Sequence, residues 1–147
     1  MRWVLIPVIL LAGCAPRQMP VIRAPEVRVE SWEQLGVASL NARIAAGQTN
    51  AARWVRSPLR MTVELFGADT DKRALWLSEE ANRGEAPDTV VVIMVRDGLV
   101  DDSVRGDWHR VVYRRQGDGS WRVHDLRRAY RCWRGHHLEA FGSKSCP

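Results

Sequence analysis

The chain has few cysteines, few lysines and no apolar stretch at its N-terminus long enough to span a membrane. It holds three cysteines in 147 residues, and 20 of its 22 basic residues are arginine. Its N-terminal apolar stretch, Trp3 to Leu11, is interrupted by Pro7, and a spanning helix needs roughly twenty apolar residues. A chain of 147 residues predicts one domain, with enough residues to build a core without a metal or many disulfides.

The motifs that define common enzyme classes are also missing. There is no G-x-S-x-G nucleophile elbow and no glycine-rich phosphate-binding loop. Asp97, Asp101 and Asp102 lack the spacing of a calcium loop, and short carboxylates in such a segment typically cap backbone N–H groups. Adjacent His136 and His137 point to opposite sides of an extended chain and rarely ligate one ion. We therefore predict no catalytic residue, no metal site and no cofactor.

The first fourteen residues have the layout of an export signal. Arg2 supplies a positive charge, Trp3 to Leu11 supply a short apolar region, and the small residues Ala12 and Gly13 follow. An export signal needs no cysteine, yet Cys14 comes next. The segment Leu11-Ala12-Gly13-Cys14 resembles the lipobox of bacterial lipoprotein precursors.

This resemblance implies that the chain is cut before Cys14, that the Cys14 thiol carries a diacylglyceryl group and that the new N-terminus is acylated. Residues 1–13 are then a signal peptide, residues 14–30 a proline-rich lipidated tether, and residues 31–147 a single domain. Two or more acyl chains anchor a protein stably, whereas one binds reversibly. Ala15 stands where relatives retained in the inner membrane typically carry Asp, which predicts, for a bacterium with two membranes, an outer-membrane protein facing the periplasm.

Two cysteines, Cys132 and Cys146, remain once Cys14 carries lipid. An exported compartment is oxidising, so we expect them to form a disulfide. The bridge would close a loop of fifteen residues, which stabilises a fold by about 3 kcal/mol on the chain-entropy estimate. The C-terminal half, with DDSVRG, WRVHDLRRAYRCWRG and a terminal CP, also loosely resembles uncharacterised envelope proteins of proteobacteria. That resemblance implies a secreted domain with a C-terminal bridge and suggests no mechanism.

Charge is distributed unevenly along the chain. Residues 61–104 contain four basic and ten acidic residues, whereas residues 105–147 contain ten basic and four acidic residues. Arginine suits bidentate contacts to carboxylate or phosphate. Because export argues against a nucleic-acid partner, the anionic partners to consider are phospholipid, lipopolysaccharide and peptidoglycan. The nearest acidic partner of the basic end is the middle of the same chain.

Hydrophobic periodicity predicts an α+β domain with one N-terminal helix packed on an antiparallel sheet of about five strands. A capping box at Ser31 and Gln34 opens the expected helix, which runs to Ala46, with Gly47 as its stop. Asp97-Gly98 is expected to form a turn. Strands are expected at residues 59–66, 73–78, 89–95, 108–115 and 121–131, the last two joined by a QGDGS hairpin turn.

Three functional hypotheses stay open at this point. The preferred one is a non-enzymatic binding or scaffolding module of the envelope, with Trp133, Arg131 and Arg134 as candidate interaction residues in or beside the irregular tail. A second is anionic lipid or lipopolysaccharide binding by the arginine-rich end. The third is a periplasm-facing enzyme that uses a histidine and a carboxylate, drawn from His109, His124, Asp97, Asp101 and Asp102.

Overall fold

Helices on one face of an antiparallel sheet form the architecture, in a computed structural model that describes residues 27–67 and 71–147. The sheet has five strands in the order β1-β5-β4-β3-β2. The elements in chain order are β1 (Glu33–Gln34), α1 (Ala38–Thr49), a 3-10 turn (Arg53–Arg56), α2 (Pro58–Phe66), β2 (Lys72–Ala81), β3 (Thr89–Leu99), β4 (Val104–Arg115) and β5 (Trp121–Cys132). The predicted α+β class, the five-stranded antiparallel sheet and the Cys132–Cys146 disulfide are confirmed.

Both faces of the sheet carry apolar residues, and other parts of the chain pack against each of them. On one side, here called the helix face, Val92, Val111 and Tyr113 pack with Ile44 of α1 and Met61 of α2. The opposite side, here called the tail face, is covered by residues from the two ends of the described chain. Its buried residues are Val95, Trp108, Ala129 and Phe141. A strand with both faces covered carries apolar residues at consecutive positions, as the run at residues 89–95 does.

Helix α1 begins later than predicted, because its expected capping box is used elsewhere. Gln34 belongs to the short strand β1, and the Ser31 hydroxyl accepts a hydrogen bond from the backbone of Ser143 at 3.0 Å. Gly47, expected to end the helix, is buried within it. A Cβ at that position would lie 2.7 Å from the Trp54 ring, so the glycine permits the close approach of the 3-10 turn.

The expected strand at residues 59–66 is wrong, and the prediction of a single helix fails with it. These residues form α2, with Pro58 in its first turn, where the missing N–H costs nothing. The same segment contains two patterns at once. Alternate residues are apolar, but Pro58, Met61, Thr62 and Leu65 also lie at helical spacing and face the sheet.

The C-terminal tail folds back on the tail face together with the first described residues. Val29 forms a parallel bridge with Phe141, and Glu30 donates its backbone N–H to the Phe141 carbonyl at 2.9 Å. Residues 27–30, predicted to belong to the tether, therefore pack on the domain. The signal peptide, Cys14 and the rest of the predicted tether lie outside the described residues. No helix within the described ranges is long and apolar enough to cross a membrane.

Candidate functional site

An apolar groove of about 360 Å³ crosses the tail face beside the edge strand β2. We call it the Trp76 groove. The buried side chains of Val95 and Trp108 lie among its lining residues, together with the half-buried Trp76. Val27 and Val29 line it as well, because the bridge to Phe141 holds that segment on the sheet. The remaining lining residues are Leu77, Ser78 and Ile93.

One end of the groove is charged, with residues of both signs. A smaller cavity of about 70 Å³ adjoins it, and both are lined by Val27, Trp76 and Val95. In this cavity Asp97 forms an ion pair with Arg131, and the Arg131 guanidinium lies 5.0 Å from the centre of the Phe141 ring. The cavity is also lined by Arg28 and Glu139. The end of the groove can therefore contact polar groups of either charge.

The predicted interaction residues connect to this end of the groove. Arg105 lies over the Trp133 ring at 5.5 Å and its Nε is 3.7 Å from the Asp97 carboxylate, which also pairs with Arg131. Trp133 is about half exposed, and Arg134 is exposed beside it. Trp133, Arg105, Asp97 and Arg131 thus form a continuous line of contacts that runs to the charged end.

Five of the ten basic residues in the arginine-rich end form ion pairs within the domain. Arg110 and Arg127 both contact the Asp125 carboxylate, at 3.6 and 3.0 Å, and Arg128 contacts Glu33 at 2.7 Å. Together with the pairs that Asp97 makes, these contacts join five arginines to three carboxylates, whereas Arg114, Arg115 and Arg122 of β4 and β5 are exposed. A surface that binds anionic lipid needs accessible positive charge, which these pairs reduce at five arginines and which the exposed arginines still supply.

A second cluster of titratable groups lies on the helix face, under the end of α2. Arg96 pairs with Asp107 through two nitrogens and donates to the Phe66 carbonyl at 2.7 Å. His109 lies beside them, with its ring 4.9 Å from the Phe66 ring, and it is 5% exposed. Its Nδ1 atom has no hydrogen-bond partner among the described residues, and lies 3.9 Å from Asp107 Oδ1.

Burial lowers the pKa of His109 to about 4. The Asp107 carboxylate favours the protonated ring, but the positive charges of Arg96 and Arg128 oppose protonation. The imidazole is therefore neutral at pH 7, and its contact with Asp107 is not an ion pair. Asp107 is 5% exposed, so the cluster is closed to a substrate and joins α2 to the sheet.

The structure does not bring together the histidine and the carboxylates of the enzyme hypothesis. His109 faces the helices, whereas Asp97 lies on the tail face. The Asp101 carboxylate accepts the N–H groups of Ser103 and Val104 at 2.8 and 2.6 Å, which is the turn-forming role expected for it. Asp102 is exposed. Asp97 and Gly98 lie in β3, so the turn expected at these two residues is wrong.

The other histidines also lie apart. His124 is exposed and falls at an irregularity in the pairing of β5 with β4, because Val112 pairs with Asp125 and Tyr113 with Val123. The His136 and His137 rings pack edge to face, and His136 shares a hydrogen bond with the Ser145 carbonyl at 2.9 Å. In the part of the chain that the structure describes, no three His, Cys, Asp or Glu residues are placed to hold a metal ion.

The groove was not predicted from the sequence. The alternation of side chains along β2 and β3 could have indicated part of it, because their pairing places Trp76 opposite Val95. The wall made by Val27 and Val29 depends on a contact with Phe141, more than a hundred residues away in the chain. No local pattern reveals such a contact.

Comparison with known proteins adds no relative. No family model, no curated protein and no solved structure matches the chain.

Proposed function

We propose that this chain is an envelope lipoprotein, anchored through Cys14, whose domain is a non-enzymatic binding module. Its ligand is an extended apolar segment of another envelope protein, held in the Trp76 groove. The observation that carries the proposal is the groove itself: an apolar cavity of about 360 Å³ whose end carries residues of both signs. Apolar sites with a few polar groups at one end are typical of binding sites.

A polypeptide segment fits this chemistry better than an anionic lipid does. Asp97 and Glu139 line the charged end beside Arg28 and Arg131, so a phosphate there would meet carboxylates as well as guanidinium groups. A peptide backbone carries both donors and acceptors and can use both. Aromatic and arginine side chains of the kind found here are also the residues that dominate binding energy at protein interfaces.

The lipobox supports the anchor. Val27 lines the groove and follows Cys14 by thirteen residues, so the proposed anchor is close to the groove in sequence. The intact mass of membrane-extracted protein tests this part separately. We expect a chain that begins at Cys14, carries lipid and exposes two thiols only after reduction. An unmodified chain beginning at Met1 would contradict the anchor.

Site-specific photocrosslinking in producing cells tests the groove. Ser78 is exposed and borders the groove, so a photoreactive amino acid in its place should capture one discrete envelope protein other than a second copy of this chain. The substitution Trp76→Ala removes one of the two tryptophans from the groove lining and should abolish this product. The same photoreactive residue at Val100, which is 82% exposed, is the control for random collisions.

A matched aromatic substitution locates the contact. Trp32→Ala removes a tryptophan that is 48% exposed and lies outside the groove lining, and it should leave the crosslinked product in place. Loss of the product in Trp32→Ala but not in Trp76→Ala would move the binding site away from the groove. Absence of any discrete product at native expression, or capture of lipid alone, would refute the proposal.

A further inference from the structure

Strand β2 has an unpaired outer edge. It is the last strand of the sheet, ten residues long, and no residue in the described ranges 27–67 and 71–147 pairs with its outer side. Asn82, which continues the strand, donates its N–H to the Thr89 carbonyl opposite at 3.0 Å. Because hydrogen-bonded and non-bonded pairs alternate in an antiparallel ladder, Leu75, Leu77 and Glu79 direct their backbone groups outward. Such an edge is a template for another strand.

The charges of this strand are complementary to those of a second copy that runs in the opposite direction. From Lys72 to Glu80 it reads KRALWLSEE, with two basic residues at one end, two acidic residues at the other and Trp76 at the centre. Leucines flank the tryptophan on both sides. In an antiparallel arrangement of two copies, the basic end of each strand lies opposite the acidic end of the other.

We infer that two copies of this chain associate through antiparallel pairing of their β2 edges, with Trp76 opposite Trp76 on a two-fold axis. The register brings together opposite charges and apolar neighbours, which are the cross-strand pairs that stabilise sheets. The two sheets become one sheet of ten strands. The pairs between copies are Lys72 with Glu80, Arg73 with Glu79, Ala74 with Ser78 and Leu75 with Leu77. Within one copy Lys72 Nζ also donates to the Gly67 carbonyl at 3.3 Å, and the Glu79 carboxylate accepts the Leu59 N–H at 3.1 Å, so these two groups would share their charge with the partner strand.

The geometry of the two faces selects this register. Directly opposite residues of an antiparallel pair point to the same side of a sheet. With Trp76 opposite Trp76, even-numbered residues meet even-numbered ones, so the helix faces of both copies lie on one side. Sliding by two residues places Leu75 opposite Glu79, or Arg73 opposite Leu77, and loses the charge pairs. The two-fold operation is isologous, as in most protein dimers.

Charges on an edge strand also serve to prevent pairing, and this is the competing interpretation. Charges of one sign along the edge would repel a second copy in either direction. Here the signs are segregated, so they repel in a parallel pair and attract in an antiparallel one. The pattern therefore favours one arrangement of one partner. This inference does not rest on the groove binding a ligand.

Charge reversal tests the dimer in the full-length chain, in mild detergent, by light scattering and sedimentation. We expect the unmodified chain to have twice the mass of one chain. The variants K72E/R73E and E79K/E80K should each be monomeric, because each places like charges opposite one another. An equimolar mixture of the two should recover the doubled mass. R43E/R122E, which reverses two exposed arginines away from β2, is the control and should remain dimeric.

A cysteine on the two-fold axis supplies an independent measurement. Trp76 is bonded inward to β3, so across the new interface it forms a non-hydrogen-bonded pair with Cα atoms about 4.5 Å apart, within reach of a disulfide. W76C should give a reducible dimer under oxidising conditions, whereas V100C should not. A monomeric unmodified chain overturns the inference, as does a mixture of folded charge variants that stays monomeric. If those variants fail to fold, equal crosslinking of W76C and V100C overturns it.

Discussion

The buried imidazole of His109 makes the domain sensitive to acid in a defined pH range. The folded chain holds this ring neutral with a pKa of about 4, whereas a histidine in the unfolded chain has a pKa near 6.5. Above pH 6.5 neither state binds the proton. Between pH 6.5 and 4 only the unfolded chain binds it, so the free energy of unfolding falls as the pH falls. Below pH 4 both states are protonated and this contribution to the slope ends.

The magnitude follows from linkage. Each pH unit over which only the unfolded state holds the proton costs about 1.4 kcal/mol, so His109 accounts for about 3 kcal/mol over this range. Urea unfolding monitored by tryptophan fluorescence, at several pH values between 7 and 4.5, measures the slope. The substitution His109→Gln keeps a polar group of similar size that does not titrate, and should flatten the slope.

The comparison uses slopes, because the substitution can also change stability at pH 7. Asp88, Asp101 and Asp118 have lowered pKa values through hydrogen bonds and also lose stabilising contacts in acid. Their contribution is present in both proteins and cancels in the difference. His124→Gln, at an exposed position, is the matched control and should keep the original slope. Equal slopes for the unmodified chain and His109→Gln would refute the reasoning.

Three further predictions concern packing, a buried hydrogen bond and the disulfide. Gly47→Leu should lower the free energy of unfolding by about 1–3 kcal/mol, because a Cβ there would lie 2.7 Å from the Trp54 ring, while Gly36→Leu, with nothing within 4 Å, should have little effect in urea titrations. Thr62→Val should cost more than Tyr113→Phe, since it leaves the buried Tyr113 hydroxyl, 2.9 Å from the Thr62 oxygen, without a partner; thermal melts that reverse this order would contradict it. Replacing both bridge cysteines by serine should cost about 3 kcal/mol, and an unchanged urea midpoint would argue against the loop-closure account.

The sequence predicted best where local signals agree. The strands at 108–115 and 121–131 alternate and flank a glycine-rich turn, and both form as expected in β4 and β5. The segment at 59–66 satisfies two periodicities, so its α2 structure is decided by what it packs against. Thr62 and Tyr113 are linked by a buried hydrogen bond across 51 positions of the sequence, which local patterns do not contain.

The candidate site was harder to predict because it is assembled from distant segments. Trp133 and Arg131 were singled out from the tail alone, yet their contacts depend on Asp97, 34 to 36 positions earlier, through ion pairs to Arg105 and Arg131. The disulfide was predictable because only two cysteines remained to pair. The groove needed the register of β2 on β3 and the fold-back of the first described residues.

The pairing of Val29 with Phe141 also determines how the domain carries mechanical load. Phe141 donates to the Arg28 carbonyl and accepts from Glu30, both at 2.9 Å, in a parallel arrangement. Tension on the N-terminal segment therefore acts along this short ladder in shear, straining both bonds together. The tail that receives this load is paired to β5 through Tyr130 and Gly142 and closed by the disulfide. A force applied at the N-terminal segment would therefore act on the tail closed by the disulfide before it acts on the strands of the sheet.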